Sequence, residues 1–262
     1  MKFILVALGV WIFVWILIRS TPSNVITSSR CSSEAYITEY FGTCNKPHLY
    51  PEDESYTLHG VHEPVNNKQW EYNEQKTLLK YVKDGDRVLQ LGGNIGASCI
   101  TLSRSRHLER NTCVEPNDKI IPILKKNVAQ HAKHVEIIHG IITGSSHPQY
   151  LDYGDGPNMW GGNTLKNNDK GQPVRQISLH RLEQHRTPYN ILFADCEGCL
   201  PAFLREYPNH KWDAIIYEPD QGVDYSIVEE IAKNNGLQEG PSEPGVIAWV
   251  SPRGSDPARR DA

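Results

Sequence analysis

The stretch Val88-Leu89-Gln90-Leu91-Gly92-Gly93-Asn94-Ile95-Gly96 constrains this chain more than any other. An apolar run ending in a glycine cluster predicts a strand that breaks into a tight turn and feeds a helix. Glycine lets the backbone bend sharply and approach a ligand closely. Glu115 follows Gly96 by 19 residues, at the end of the next apolar run, in Val114-Glu115-Pro116-Asn117. A carboxylate in that place can accept hydrogen bonds from both hydroxyls of a ribose. The pair of features predicts a nucleoside-cofactor site at the edge of a sheet.

The glycine spacing narrows the choice of cofactor. Dinucleotide enzymes use G-x-G-x-x-G, which brings backbone N–H groups to a pyrophosphate. Gly92-Gly93-Asn94-Ile95-Gly96 does not have that spacing, which disfavours an NAD-type oxidoreductase. It resembles instead the first motif of S-adenosylmethionine-dependent methyltransferases, whose cofactor carries no phosphate.

Periodicity predicts an alternating α/β order. Helices are expected over 71–83, 95–105, 117–131, 201–207 and 224–234, and strands over 87–91, 111–115, 135–142 (interrupted by His139-Gly140), 190–195 and 212–217. A short strand is expected over 174–177 and a closing antiparallel pair over 237–239 and 246–250. Residues 144–172, rich in Gly, Asn, Asp and Pro, read as a long irregular insertion. Alternation of this kind implies a mostly parallel sheet covered on both faces.

The chain has 262 residues, 39% hydrophobic, and a formal charge of −4. That is enough apolar material for one core, and the absence of a basic field disfavours a nucleic-acid partner. Residues 3–18 are continuously apolar between Lys2 and Arg19. At about 1.5 Å per residue the run is slightly short for a bilayer core. It reads as a single-pass membrane anchor over 1–20, with a cleaved signal peptide as the competing reading. Lys2 on one side and Arg19 and Arg30 on the other leave the orientation open. Residues 21–65 read as a stem, 66–251 as the catalytic domain and 252–262 as a disordered tail. Cys31 and Cys44 in the stem can pair in an oxidising environment, whereas Cys99 and Cys113 read as core thiols.

From Glu71 to Tyr217 the chain resembles the FkbM family of S-adenosylmethionine-dependent methyltransferases. Glu71 stands a helix-length before Asp84-Gly85-Asp86, as an acidic residue does before the family's "pGd" turn. Val88 to Gly96 is similar to "vlDvGAnvG", Val114 to Asn117 to "fEPnp", and Phe193-Ala194-Asp195-Cys196-Glu197-Gly198 to "kiDvEG". Asn127 and Ile216-Tyr217-Glu218-Pro219 also have counterparts there. The resemblance implies a class I methyltransferase (Rossmann-like) fold with a terminal antiparallel hairpin, here preceded by the N-terminal membrane helix. It also implies S-adenosyl-L-methionine as cofactor and O-methylation of a hydroxyl on a glycan or small molecule. Three positions depart from the pattern: Gln90 replaces an acidic residue, His180 stands where the family often has Asp, and Cys199 replaces a small residue. The loss of charge at Gln90 motivates an alternative, a membrane-tethered pseudoenzyme that binds cofactor or a protein partner without turnover.

On this reading Glu71, Gln90, Gly92, Gly93, Asn94, Gly96, Glu115, Asn117, Gly140, Ile141 and Asp195 are expected to hold the cofactor. Glu115 takes the ribose, and Gly140 and Ile141 border the adenine. Methyl transfer to a hydroxyl needs an in-line approach and a base. Asp195, His180 and Glu218 are the candidates for that base. Trp160, in Trp160-Gly161-Gly162-Asn163, is a candidate to stack on a sugar acceptor. Cys196-x-x-Cys199 lacks a second ligand pair and reads as a packing or adventitiously oxidised pair, with no metal expected.

Overall fold

The computed structural model describes residues 71–132, 134–152, 163–166 and 171–252. The chain divides into two units, Met1–Asn45 and Lys46–Ala262, and all described residues belong to the second. The anchor, the stem, Cys31, Cys44, Trp160 and the tail beyond Pro252 lie outside the described residues. Among the described residues no helix is long and apolar enough to cross a membrane.

Seven strands form the central sheet: β1 (Arg87–Leu91), β2 (Arg110–Glu115), β3 (Val135–His139), β9 (Ile191–Ala194), β10 (Ala214–Tyr217), β11 (Gln238–Gly240) and β12 (Ile247–Val250). Their order is β11-β12-β10-β9-β1-β2-β3. The five strands from β10 to β3 run parallel, and β12 lies antiparallel to both β10 and β11. This is the Rossmann-like arrangement expected, closed at one edge by the predicted hairpin pair. The central strands β9 (Ile-Leu-Phe-Ala) and β10 (Ala-Ile-Ile-Tyr) are continuous apolar runs, as strands covered on both faces are.

Residue parity decides which face each side chain serves. Leu89, Leu91, Val114, Leu192, Ala194 and Ile215 share one core with residues of α5 (Leu200–Glu206) and α6 (Ser226–Asn234). Cys113 shares another with α2 (Ala97–Ser105) and α3 (Ile121–His131). A further helix, α1 (Tyr72–Tyr81), precedes β1 and buries Leu78 and Leu79.

The loop between β11 and β12 grips α1. The Tyr81 hydroxyl and Lys80 Nζ donate to the Pro241 carbonyl at 2.5 and 2.9 Å. Asn73 Nδ2 donates to the Pro244 carbonyl at 2.8 Å, and Lys76 pairs with Glu243 at 2.9 Å.

The strand predicted over 135–142 divides at the expected interruption, Gly140, into β3 and β4 (Ile141–Ile142), and β4 pairs with β8 (Gln176–Ile177) in a separate sheet. An added Cβ at Gly140 would lie 2.4 Å from the Arg175 carbonyl oxygen, so the crossing leaves no room for a side chain. The insertion is not irregular throughout: β5 (Gln149–Asp152), β6 (Asn163–Lys166) and β7 (Gln172–Pro173) form an antiparallel sheet with β5 in the middle.

Cys99 and Cys113, expected as core thiols, are bonded to each other, because α2 packs directly on β2. Cys196 and Cys199, expected as a packing or oxidised pair, form a second disulfide.

Candidate active site

A cavity of about 720 Å³ opens at the C-terminal ends of β1, β2, β9 and β10. That is where open α/β sheets bind ligands, and the volume suits a drug-sized organic ligand. Glu71, Gly92, Asn94, Glu115, Asn117, Gly140, Ile141, Asp195 and Glu218 all line it, so most of the predicted site residues converge.

The glycine turn builds the floor. Gly92 has φ +87°, and an added Cβ would lie 1.6 Å from the Asp195 carbonyl oxygen. Only glycine lets β1 and β9 end side by side here. Gly92 N and Gly93 N both donate to the Val114 carbonyl, at 3.1 and 2.8 Å, and Asp195 N donates to the Leu91 carbonyl at 3.0 Å. The backbone of Asp195 is thereby fixed against the turn.

Glu115 is 7% exposed and bonded through both oxygens. Asn94 N donates to Oε2 and Asn117 N to Oε1, each at 2.7 Å. Burial raises the Glu115 pKa, and the two backbone N–H groups oppose that shift. Each carboxylate oxygen accepts more than one hydrogen bond, so both retain capacity for a hydroxyl donor.

Asp195 stands on the other side of β1, two strand spacings or about 10 Å along the sheet. Burial, then the charges of Glu218, Glu74, Glu197 and Asp220, push its carboxyl up to about 8. Glu74 and Glu218 stand close enough for their charges to act on Asp195, and Glu74 acts likewise on Glu218. Burial and neighbouring carboxylates also raise Glu218, and burial raises Glu74. Crowding disfavours the charged form of each carboxyl, so the Glu74–Glu218–Asp195 cluster takes up protons more readily than isolated carboxyls do.

Four expected site residues are not on the cavity wall. Gln90 is fully buried on the opposite side of β1 from Leu91, and its Nε2 donates to Asn111 Oδ1 at 2.6 Å. Asn111 Nδ2 in turn donates to the Cys99 carbonyl of α2 at 2.9 Å. Strand alternation sends Gln90 under α2, so its lack of charge does not alter the cavity. Gly93 and Gly96 serve packing: added Cβ atoms would lie 2.5 Å from Cys113 Sγ and 2.8 Å from Leu124 Cδ1. His180 is exposed on α4 (Leu179–Glu183), whose inward residue is Leu179, and it is removed as a base.

Sequence reasoning missed Glu74 and the wall formed by Thr143, Ser145, His147, Gln149 and Leu151. Glu206 of α5 ties this wall down, accepting from Thr143 Oγ1 at 2.8 Å and from Gly144 N at 2.7 Å. Spacing did offer a sign of Glu74, one helical turn after Glu71. Among the described residues, no group of three or more His, Cys, Asp or Glu side chains is placed to hold a metal ion.

No family model and no curated protein matches the chain. Several solved structures are similar to it. One is precorrin-6y C5,15-methyltransferase from Geobacter metallireducens, 11% identical over 77% of this chain and 99% of that one, with a TM-score of 0.44. Another is magnesium protoporphyrin IX methyltransferase from Synechocystis with bound S-adenosylmethionine, 10% identical over 64% and 71%, TM-score 0.39. A third is an S-adenosylmethionine-dependent methyltransferase from Aquifex aeolicus, 14% identical over 70% and 90%, TM-score 0.39.

Proposed function

We propose that this chain is an S-adenosylmethionine-dependent methyltransferase that O-methylates a hydroxyl of a glycan or small molecule and is held at a membrane by residues 3–18. The observation that carries the reading is Glu115: a buried strand-end carboxylate, fixed by two backbone N–H groups, facing a cavity across one strand from Asp195.

The residues fit the cofactor. Glu115 retains acceptor capacity for the ribose hydroxyls. Asn94 Oδ1 is a buried acceptor on the cavity wall with no partner among the described residues, suited to a ligand donor. Gly92 leaves the floor bare. Gly140 and Ile141 border the ring of the nucleoside. When bound, S-adenosylmethionine supplies an electrophilic methyl on a sulfonium.

The chain's own part is to orient the acceptor and take its proton. A carboxyl pushed up to about 8 is matched to general-base work near neutral pH. Asp195 is the base on this reading, and the neighbouring Glu218 and Glu74 help to hold its pKa up. Two disulfides among the described residues support an oxidising compartment for the domain.

The test is calorimetry with S-adenosylhomocysteine. Glu115→Ala removes bonds worth about 1.5–3 kcal/mol to a charged group, so affinity should fall roughly 10- to 100-fold. Unchanged affinity in a folded variant removes the reading's main support. A labelled methyl-transfer screen over hydroxylated small molecules and glycans then separates turnover from the pseudoenzyme alternative, for which binding occurs and no methyl moves.

A further inference from the structure

We propose that the Cys196–Cys199 disulfide is a thiol–disulfide exchange site, taking a low-molecular-weight thiol or dithiol as its reductant, and that its redox state sets the shape of the cavity wall beside Asp195. The chemistry and position of the two disulfides separate them. Cys99 and Cys113 are each 0% exposed, sealed between α2 and β2. Cys196 and Cys199 are half-buried and line the cavity itself. Exchange needs a thiolate to reach a sulfur, so access favours the second pair.

The bond closes a short ring around two residues in the left-handed region, Glu197 at φ 53° and Gly198 at φ 82°. Glycine accepts that conformation freely, whereas Glu197 holds it at a cost. Only one backbone bond, Cys199 N to the Cys196 carbonyl at 3.2 Å, accompanies the disulfide across this turn. Gly198 also abuts Val223, where an added Cβ would lie 3.0 Å from Cγ2, so the turn packs on the following loop. Glu197 is further crowded by the charges of Asp220 and Glu218. Opening the disulfide removes the covalent tie while these carboxylates still repel one another.

Asp195 does not share that freedom. Its N–H is bonded to Leu91 and its carbonyl oxygen is pressed on Gly92. The moving part is therefore 196–199 with the loop it packs on, and the Glu115 end of the cavity stays in place.

The exchange balances as two electrons and two protons. A thiolate attacks one sulfur, breaking the Cys196–Cys199 bond and forming a mixed disulfide. A second thiol then attacks the mixed disulfide, leaving two protein thiols and one molecule of oxidised reductant. This site does not depend on methyl transfer.

The test uses full-length protein purified without reductant and stepped through glutathione redox buffers. Free thiols are trapped by alkylation and located by peptide mass spectrometry. Cys196 and Cys199 should become alkylated together at a thiol-to-disulfide ratio roughly tenfold or more below that needed for Cys99 and Cys113. Hydrogen exchange should rise across 196–199 and 220–224 and stay constant across 92–94 and 115–117. A Cys196→Ser/Cys199→Ser double variant should reproduce the reduced pattern without reductant. Free Cys196 and Cys199 in untreated protein, joint reduction of both pairs, or an unchanged exchange pattern on reduction would each overturn the proposal. Loss of S-adenosylhomocysteine binding in every redox state, with the exchange pattern as stated, would count against the methyltransferase reading and leave the exchange site standing.

Discussion

Glu115 and Asp195 end neighbouring parts of one sheet in different company: Glu115 is held by two backbone N–H groups, and Asp195 stands among other carboxyls. The Asp195 carboxyl, raised from 3.8 to about 8, fixes a pH dependence. Between about 4 and 8 the folded protein holds a proton that the unfolded chain has lost, so the unfolded state binds fewer protons and stability falls as pH rises through that window. Asp195→Asn should therefore melt higher than wild type, with a gap that widens from pH 4 to 8 and then levels off. The same variant should lose roughly 10²–10⁴-fold in turnover, because the amide keeps hydrogen bonding without taking a proton. Wild-type turnover should climb towards pH 8. A melting curve with the same pH slope in both proteins would contradict the assignment of the raised pKa to Asp195. Glu115 is legible in the sequence because a glycine turn and a strand-end acid at that spacing leave few alternatives. The acid cluster around Asp195 is not, because it depends on Glu74 of α1 lying near Glu218, which follows β10. Gln90 escapes the motif because a motif gives neighbours in sequence and not the side of the strand each occupies.

At the level of elements, the parallel strands were legible as apolar runs bounded by turn residues. The wall over 143–151 was not. β5, Gln149-Tyr150-Leu151-Asp152, pairs mostly with polar residues, and Leu151 is its one residue in the buried hydrophobic core. A strand so sparsely apolar gives no period to read. The crossing at Gly92 is the element-scale constraint on the site. Gly92→Ala asks for a left-handed alanine with its Cβ 1.6 Å from the Asp195 carbonyl oxygen. It should lower the melting temperature by several degrees, and more than Gly222→Ala, which shares the positive φ and has open space around it. Equal losses at the two glycines would show that β1 and β9 can part without cost.

For the whole molecule, the anchor reading predicts that the full chain stays with membranes after carbonate washing, and that removing residues 1–20 releases a folded protein. Quantitative release of the full chain would overturn it. The grip of the 241–244 loop on α1 links the first described helix to the last described strands. α1 brings Glu74, and the residue before it, Glu71, lines the cavity. The acid cluster is thus complete only when the end of the domain folds back on its beginning. During synthesis the glycine turn and Glu115 leave the ribosome well before β12, so a nascent chain halted after β10 would carry every strand of the parallel sheet with α1 unclamped. Its Glu115 end would be built before its acid cluster, so on the proposed reading the groups that hold a cofactor would come together before those that take a proton.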